Sequence, residues 1–187
     1  MNSKIKRIWH FLWYEDSWAS FAADAIIIII LGKFVIYPLL GSMLGTSLPV
    51  VAVVSSSMEH NGMDFDSWWY ENNEYYDNIK IEKSNFKEYP LSDGFNKGDV
   101  IILTGTSFSE IKEGEVIVFL SKGRTEPIIH RVISVSEDHI STKGDNNPNQ
   151  LSFEKYIYDD EIIGKAVFKI PLLGWVKVIF LEITGQI

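Results

Sequence analysis

Residues 19–44 read ASFAADAIIIIILGKFVIYPLLGSML, an apolar run that decides how the rest of the chain is organised. About 20 apolar residues, each rising ~1.5 Å along a helix, suffice to cross the hydrocarbon core of a bilayer. Five consecutive isoleucines leave no polar face, so the run predicts a membrane-spanning helix rather than a buried helix of a soluble core. We expect an uncleaved anchor at residues 19–46, because the run is longer than the apolar region of a signal peptide.

Two charged residues interrupt this run, Asp24 and Lys33. They are nine residues apart, which puts them on opposite sides of a helix with about 3.6 residues per turn, so no ion pair is expected between them. A lysine near the bilayer centre costs about 2.5 to 3.5 kcal/mol on insertion scales. We therefore expect Lys33 to extend its ammonium group towards the headgroups or to meet a polar partner. Pro38 and Gly41 permit a kink in the second half of the helix.

The residues that precede the run, 1–18, form a basic and aromatic tail. Its basic residues are Lys4, Lys6 and Arg7, and its aromatic residues are Trp9, Phe11, Trp13, Tyr14 and Trp18. Aromatic side chains favour the interface between lipid and water, and lysine and arginine are enriched in cytoplasmic segments. The pattern predicts a single-pass protein of the cell membrane, or of the endoplasmic-reticulum membrane in a eukaryote. Its N-terminus would be cytoplasmic, and the residues after Val54 would lie on the other side.

The composition excludes several other classes of function. The 187 residues carry 17 basic and 25 acidic side chains, a net charge of -8 that disfavours a nucleic-acid partner. The sequence has no cysteine, which excludes disulfides, thiolate metal sites and a cysteine nucleophile. The four histidines lack the spacing of a helical metal pair, so neither a metal site nor a cofactor is expected.

Short runs rich in β-branched residues follow residue 99, and each is bounded by turn residues. They are residues 100–103, 116–120, 128–135, 139–142 and 161–168. Strands at such short intervals are typical of antiparallel sheets and leave no room for the helices of alternating βα units. The sequence therefore predicts a mainly β chain, in which one N-terminal membrane helix precedes an antiparallel, extracytoplasmic domain at residues 47–170.

Residues 59–97 interrupt this domain as an acidic and aromatic insertion. It contains the sequences WWY at 68–70 and YY at 75–76, and a helix is expected to begin near Asp66 or Ser67, either of which can cap it. The aromatic side chains could line a substrate cleft, contact lipid or pack as a small satellite core. Clustered aromatic residues usually pack together, so we expect the satellite core.

The C-terminal residues 171–187 read PLLGWVKVIFLEITGQI, an apolar segment interrupted by Lys177. The segment is too short and too interrupted to indicate a second membrane span. We expect it to dip into the membrane surface or to pack against the core.

Three polar residues in this domain have the chemical types of a nucleophile, a base and an acid. Ser57 lies in VVSSSME at 53–59, His130 in PIIHRVI at 127–133, and Asp145 in TKGDNN at 142–147. A serine hydroxyl attacks an amide only with a base in hydrogen-bond reach, a group that orients the base, and donors for the oxyanion. Taken singly, each residue has an ordinary explanation as a turn serine, a packed histidine or a turn aspartate.

Together these segments resemble the type I signal peptidases, in the archaeal and endoplasmic-reticulum branch whose base is histidine rather than lysine. The resemblance covers roughly residues 22–170. It implies Ser57 as the nucleophile, from the Ser-x-Ser-Met motif, with His130 as the base and Asp145 as the group that orients it. It also implies that Ser55 adds a hydroxyl to the oxyanion hole beside the Ser57 backbone amide.

The chain departs from this family at two positions. His60 stands where the family often has proline, and it could alter the turn or compete as a base. Leu151 stands where many relatives carry a second aspartate, six residues after Asp145. Glu154 is nearby, and we expect it to be a surface charge. Which acidic residue completes the site is left open by the sequence.

The resemblance implies a membrane-bound serine endopeptidase that removes signal peptides from exported preproteins, after small residues at the -1 and -3 positions. Its partners would be preproteins bound as extended strands, membrane lipid and the protein translocation channel. Two alternatives stay open. One is a related membrane peptidase with a single dedicated precursor, and the other is an inactive homologue that serves as a scaffold or substrate-binding subunit.

Overall fold

The computed structural model describes residues 3–186. Its internal contacts divide the chain into two compact units, residues 1–43 and residues 44–187. The first unit is helical, and the second contains the β-sheet.

The described part of the first unit is helical, and its last helix ends at Leu44, the first residue of the second unit. Its helical segments are α1, Ser3–Tyr14; α2, Trp18–Leu31; a π-helical segment, Gly32–Ile36; and α3, Tyr37–Leu44. Ser17 caps α2, because its hydroxyl accepts a hydrogen bond of 3.1 Å from the backbone N–H of Ser20. The Ser20 hydroxyl in turn donates to the carbonyl of Phe11 at 2.6 Å. The start of α2 is thereby tied to α1.

One continuous helical stretch, Trp18–Leu44, is long and apolar enough to cross a bilayer, with 27 residues. Its five consecutive isoleucines are exposed in this unit, as expected of side chains that would face lipid. The π-helical segment lies directly before Tyr37 and Pro38. Proline has no N–H and its ring clashes with the carbonyl four residues earlier, and a wider helical turn accommodates both effects.

The described residues of the second unit form a six-stranded sheet. Its strands are β1, Val50–Ala52; β2, Val100–Thr104; β3, Val116–Phe119; β4, Ile128–Val135; β5, Ile140–Lys143; and β6, Ile162–Ile170. The order is β1-β2-β6-β3-β4-β5, and every neighbouring pair is antiparallel. The prediction of a mainly β, antiparallel domain is therefore confirmed. The sequence did not reveal β1, because three residues are too few to show a periodic pattern.

Strand β3 lies inside the sheet and separates two hydrophobic cores. Val116 and Val118 point into one core, while Ile117 and Phe119 point into the other, as the two-residue period of a strand requires. All four side chains are buried. Because the run is continuously apolar, β3 contributes side chains to the core on each face of the sheet.

The insertion adds two helices, α4, Phe65–Asn78, and α5, Lys83–Glu88. The two helices and the turn between them form a third buried cluster against Ile133 of β4. Its members are Trp68, Trp69, Tyr76, Ile81 and Phe86. The expected aromatic satellite core is confirmed. It packs on the strand that also carries His130.

The cap of α4 differs from the sequence prediction. Asp64 is the N-cap, with an extended backbone and a carboxylate that accepts 2.8 Å from the N–H of Ser67. Asp66 lies within the first turn instead, where a negative charge also favours the helix dipole.

The remaining elements lie between and after the strands. Single 3₁₀ turns occupy Phe108–Glu110, Ser152–Glu154 and Asp159–Glu161, and helix α6 occupies Trp175–Ile183. Gly98 has a φ of 92°, and a Cβ at this position would overlap the indole ring of Trp175. The close approach of Trp175 to the backbone therefore requires glycine here.

We expect that Phe86→Ala lowers the free energy of unfolding of the domain by about 3 to 5 kcal/mol, because it removes a fully buried ring and leaves a cavity. The measurement is chemical unfolding in detergent, followed by tryptophan fluorescence. Tyr70→Ala is the matched control, since Tyr70 is on the neighbouring helix with 82% of its surface exposed. Equal losses in the two variants would contradict the assignment of a packed aromatic core.

Candidate active site

Ser57 lies in the turn that follows β1, with its side chain half-buried. Its Oγ is 2.9 Å from Nε2 of His130, a distance at which the imidazole can accept the hydroxyl proton. The structure thus brings together the residues that the sequence suggested as nucleophile and base. They are 73 positions apart in the chain.

His130 is positioned by strand β4, where it lies opposite Ile117 of β3. The imidazole is 4% exposed. Successive residues of a strand face opposite sides of a sheet, so His130 and Arg131 point away from each other. His130 points to Ser57, whereas Arg131 and Ile133 point towards the side covered by the aromatic cluster.

Glu154 holds the second nitrogen of the imidazole. Its Oε1 contacts Nδ1 of His130 at hydrogen-bond distance, and its Oε2 accepts 2.6 Å from the N–H of Leu151. The expectation that Glu154 is a surface charge is wrong, since its side chain is 0% exposed. A 3₁₀ turn places it there, Ser152–Glu154, and sequence periodicity gives no sign of such a turn.

Asp145 does not occupy the position that the sequence suggested. Within residues 3–186, the carboxylate found at Nδ1 of His130 belongs to Glu154, and Asp145 binds Arg131 instead. The ion pair is bidentate, with Nε 2.9 Å from Oδ1 and Nη2 2.7 Å from Oδ2. Asp145 is fully buried, and its two oxygens are committed to this guanidinium and to His60.

Arg131 uses all of its donors inside the protein. Besides Asp145, it donates to backbone carbonyls, namely those of Pro90, Leu91 and Gly114, at 2.8 to 2.9 Å. Its guanidinium also lies 4.7 Å from the ring centroid of Phe86. Sequence reasoning missed Arg131, although a lone arginine in an apolar strand signals a buried partner. The residue fastens β4, the end of the insertion and the Asp145 loop to one another.

The ion pair controls the protonation of both groups. Burial alone would raise the pKa of Asp145, but the Arg131 charge and the hydrogen bonds from His60 and Arg131 outweigh it and lower this pKa to about 2. Burial opposes the charge of Arg131, yet Asp145 raises the pKa of the guanidinium above its usual value. Both groups are therefore charged across the physiological range.

The loop that contains Asp145 supports the nucleophile turn directly. The backbone N–H of Asn146 donates to the carbonyl of Ser57 at 2.8 Å, and its side-chain amide donates to the carbonyl of Ser56 at 3.0 Å. A Cβ on Gly144 would come within 2.9 Å of Nε2 of His130 and 2.7 Å of the Ser57 carbonyl. Only glycine permits this approach, so the loop fixes the position of Ser57 relative to the imidazole.

His60 lies behind Asp145 rather than beside the imidazole of His130. Its ring stacks on Trp68 at 3.8 Å, nearly parallel, and its Nε2 is 3.4 Å from Oδ2 of Asp145. The side chain is 3% exposed. This arrangement makes His60 a link between the insertion and the Asp145 loop, and gives no support to a role as a competing base.

Lys143 is another buried basic residue, besides Arg131, that the sequence analysis did not single out. Its Nζ lies over the rings of Tyr75 and Tyr76, at 5.0 and 4.7 Å from their centroids, and donates to the Gly144 carbonyl at 3.0 Å. Burial lowers its pKa to about 8, although the carboxylates of Asp145 and Glu154 favour its charged form. The insertion thus encloses the residue that begins the supporting loop.

Ser55 is exposed, and its Oγ is 3.2 Å from that of Ser57. Both hydroxyls open into a groove of about 360 Å³. Residues 51–55 and residues 126–130 line it, together with Leu151 and Phe153. Because β1 lies at an edge of the sheet, the groove adjoins backbone groups that can pair with an extended peptide.

Comparison with known proteins supports the resemblance that the motifs indicated. No family model matches the chain. It is 32% identical over 99 residues to the signal peptidase complex catalytic subunit SEC11C of Homo sapiens, which covers 48% of this chain and 52% of that protein. It is 30% identical over 102 residues to SEC11 of Colletotrichum graminicola, which covers 49% and 59%.

The chain spans about half the length of the curated relatives it matches. Each is named as the catalytic subunit of a signal peptidase complex. The resemblance to the endoplasmic-reticulum type of signal peptidase is confirmed over this part of the chain.

We expect the stability of the domain to fall as the pH drops from about 4 to about 2, in part through Asp145. The pKa of its carboxyl is 3.8 in the unfolded state and about 2 in the folded state. The unfolded state therefore binds more protons between these two pH values. The carboxylate therefore contributes about 2 kcal/mol above this window and loses it within the window.

Chemical unfolding of wild type and of Asp145→Asn, measured across this pH range, checks the prediction. The variant is expected to be less stable at neutral pH, and the difference between the two proteins is expected to shrink as the pH falls. A difference that stays constant down to about pH 2 would contradict the assigned ion pair.

Proposed function

We propose that this chain is a membrane-bound serine endopeptidase that removes N-terminal signal peptides from exported preproteins. The observation that carries the proposal is the hydrogen-bonded series Ser57, His130 and Glu154. It provides a nucleophile, a base and an acid in contact with each other, beside a groove that can hold an extended peptide. The names of the curated relatives support the same activity.

In the proposed reaction Ser57 Oγ attacks the scissile carbonyl while Nε2 of His130 accepts its proton. The Glu154 carboxylate accepts the Nδ1–H hydrogen bond, which selects the correct tautomer and stabilises the imidazolium that forms. His130 then donates the proton to the leaving amine, and an acyl-enzyme is left on Ser57. A water molecule, deprotonated by His130, hydrolyses that ester.

The tetrahedral oxyanion needs donors at its own position. We assign this role to the Ser55 hydroxyl and the Ser57 backbone amide, because the Ser55 Oγ is 3.2 Å from the nucleophilic oxygen. Loss of one such donor typically costs about 100 to 1000-fold in kcat.

Asp145 and Arg131 act on the reaction indirectly in this proposal. Their ion pair holds the loop whose Asn146 amide binds the Ser57 carbonyl, so they set the position of the nucleophile. Asp145 is therefore proposed as a positioning residue and not as the group that orients the imidazole.

The substrate is proposed to bind as an extended strand along the groove, next to the edge strand β1. Small side chains are proposed at its -1 and -3 positions, which would lie between residues 51–55 and residues 126–130. Signal-peptide-bearing preproteins are accordingly the proposed partners, received from the translocation channel.

We further propose that Trp18–Leu44 anchors the enzyme as a single membrane span. The basic residues Lys4, Lys6 and Arg7 favour a cytoplasmic N-terminus. The groove then lies on the opposite side, in a cell membrane or in an endoplasmic-reticulum membrane. Ser57 follows the candidate span by 13 residues, a length of chain that permits the nucleophile to lie near the membrane surface.

We expect the full-length protein in lipid to cleave a preprotein after an Ala-x-Ala site, and expect Ser57→Ala and His130→Ala to reduce cleavage to background. Loss of either partner in such a pair lowers kcat by as much as about a million-fold. Product masses and N-terminal sequencing of the product measure the cut. Ser56→Ala is the matched control, because it removes the neighbouring hydroxyl and keeps the backbone of the turn.

Other outcomes would favour the alternatives. Cleavage of one precursor among several unrelated preproteins would indicate a dedicated peptidase. Absence of any cleavage by a folded, membrane-inserted wild-type protein would indicate a scaffold, and full activity in Ser57→Ala would contradict the proposed nucleophile.

Glu154 and Asp145 have different roles in this proposal, and substitutions of the two residues distinguish these roles. Glu154→Gln keeps the size of the side chain but removes the charge that stabilises imidazolium, so kcat should fall by about 1,000 to 10,000-fold with little change in stability. Asp145→Asn leaves the Arg131 charge without its partner and should cost about 2 to 5 kcal/mol of stability. Cleavage rates and unfolding midpoints of both variants check this. If the catalytic loss belonged to Asp145→Asn and Glu154→Gln stayed active, the assignment would be reversed.

A further inference from the structure

Helix α6 has one side fastened to the β domain. Val178 is buried, and the chain enters the helix through a hydrogen bond of 2.8 Å from the N–H of Gly174 to the carbonyl of Gly98. The ammonium group of Lys97 is 2.8 Å from the Glu182 carboxylate. These contacts fix which side of α6 faces away from the domain.

The outward side of α6 is apolar and exposed. It consists of Val176, Ile179, Phe180 and Ile183, which we call the α6 stripe. At about 100° per residue these four side chains fall within an arc of about 100°, so they form one continuous surface. Val176 is 81% exposed and Ile183 is 80% exposed. Leu172 and Leu173, which are also exposed, extend the surface ahead of the helix.

The residues beside the stripe indicate which partner covers it. Trp175 flanks it on one side and Lys177 on the other, and both reach the surface. Tryptophan and lysine at the borders of an apolar helix face suit the headgroup region, where the indole ring is amphipathic and the ammonium group meets phosphate. The stripe itself contains no charged residue, which suits acyl chains.

A bilayer is also within reach of the stripe if Trp18–Leu44 is a membrane span, as proposed above. Helix α6 contacts strand β1, Val50–Ala52. Six residues lead from Leu44, where the candidate span ends, to Val50, and at most about 3.6 Å per residue they cover roughly 20 Å. Strand β1, which α6 contacts, therefore begins only a short length of chain after the candidate span.

We propose that the α6 stripe lies in the outer leaflet of the membrane, with the helix parallel to the surface. The inference rests on the proposed membrane span and adds a second, interfacial contact to it. Two attachments restrict rotation of the β domain about its anchor.

The experiment uses the absence of cysteine from the sequence, which allows single-cysteine variants of the full-length protein to carry an environment-sensitive NBD probe. Val176→Cys and Ile183→Cys place the probe on the stripe. Ile29→Cys places it in the candidate span, and Glu137→Cys places it on an exposed turn between β4 and β5. Each labelled protein is reconstituted in phosphatidylcholine vesicles with and without spin-labelled phosphatidylcholine. Unchanged unfolding midpoints show that the labelled variants are folded.

We expect the Val176 and Ile183 probes to show blue-shifted emission and quenching by the spin-labelled lipid comparable to the Ile29 probe, while the Glu137 probe stays unquenched. If the stripe probes behave like the Glu137 probe and the Ile29 probe is quenched, the span stands and the α6 proposal is overturned. If the Ile29 probe is also unquenched, the proposed span fails and the α6 proposal fails with it. Disulfide cross-linking between two Val176→Cys chains, without lipid quenching, would assign the stripe to a second copy and overturn the lipid proposal.

Discussion

The bidentate ion pair between Arg131 and Asp145 joins the parts of the domain that must meet for any chemistry at Ser57. Arg131 lies on β4 and Asp145 lies in the loop after β5, and the aromatic insertion packs against both through Phe86 and His60. A buried pair is favourable only when every donor is satisfied, and Arg131 meets this condition with Asp145 and three backbone carbonyls. The ends of the insertion, the loop and strand β4 are consequently held in one arrangement.

Neighbouring side chains of β4 face opposite sides of the sheet, so that one stabilises the fold and the next belongs to the candidate site. Arg131 faces the aromatic cluster and anchors the loop, while His130 faces Ser57 on one side and Glu154 on the other. Both imidazole nitrogens therefore have defined partners before any substrate binds. Such preorganisation is what makes a positioned base effective, because no reorganisation is needed when charge develops.

The sequence was sufficient to predict the antiparallel β class and most of the strands, because strands show a periodic pattern. It was also sufficient to select Ser57 and His130 as a candidate pair, because both lie in short motifs. It was misleading about Asp145 and Glu154. A turn motif indicates where an aspartate lies along the chain, but not which cation it meets across the fold. Arg131 binds Asp145, which is 14 residues away in the sequence. A 3₁₀ turn places Glu154 in contact with His130, although the two residues are 24 positions apart. No local pattern encodes either distance.

A double-mutant cycle on His130 and Glu154 tests the central claim that these residues act as one unit on Ser57. Preprotein cleavage rates would be measured for wild type, His130→Ala, Glu154→Gln and the double variant, with an assay sensitive to residual activity. Members of a catalytic unit are strongly non-additive, so the double variant should be no slower than His130→Ala alone. Losses that multiply in the double variant would contradict the coupling and remove Glu154 from the proposed catalytic series.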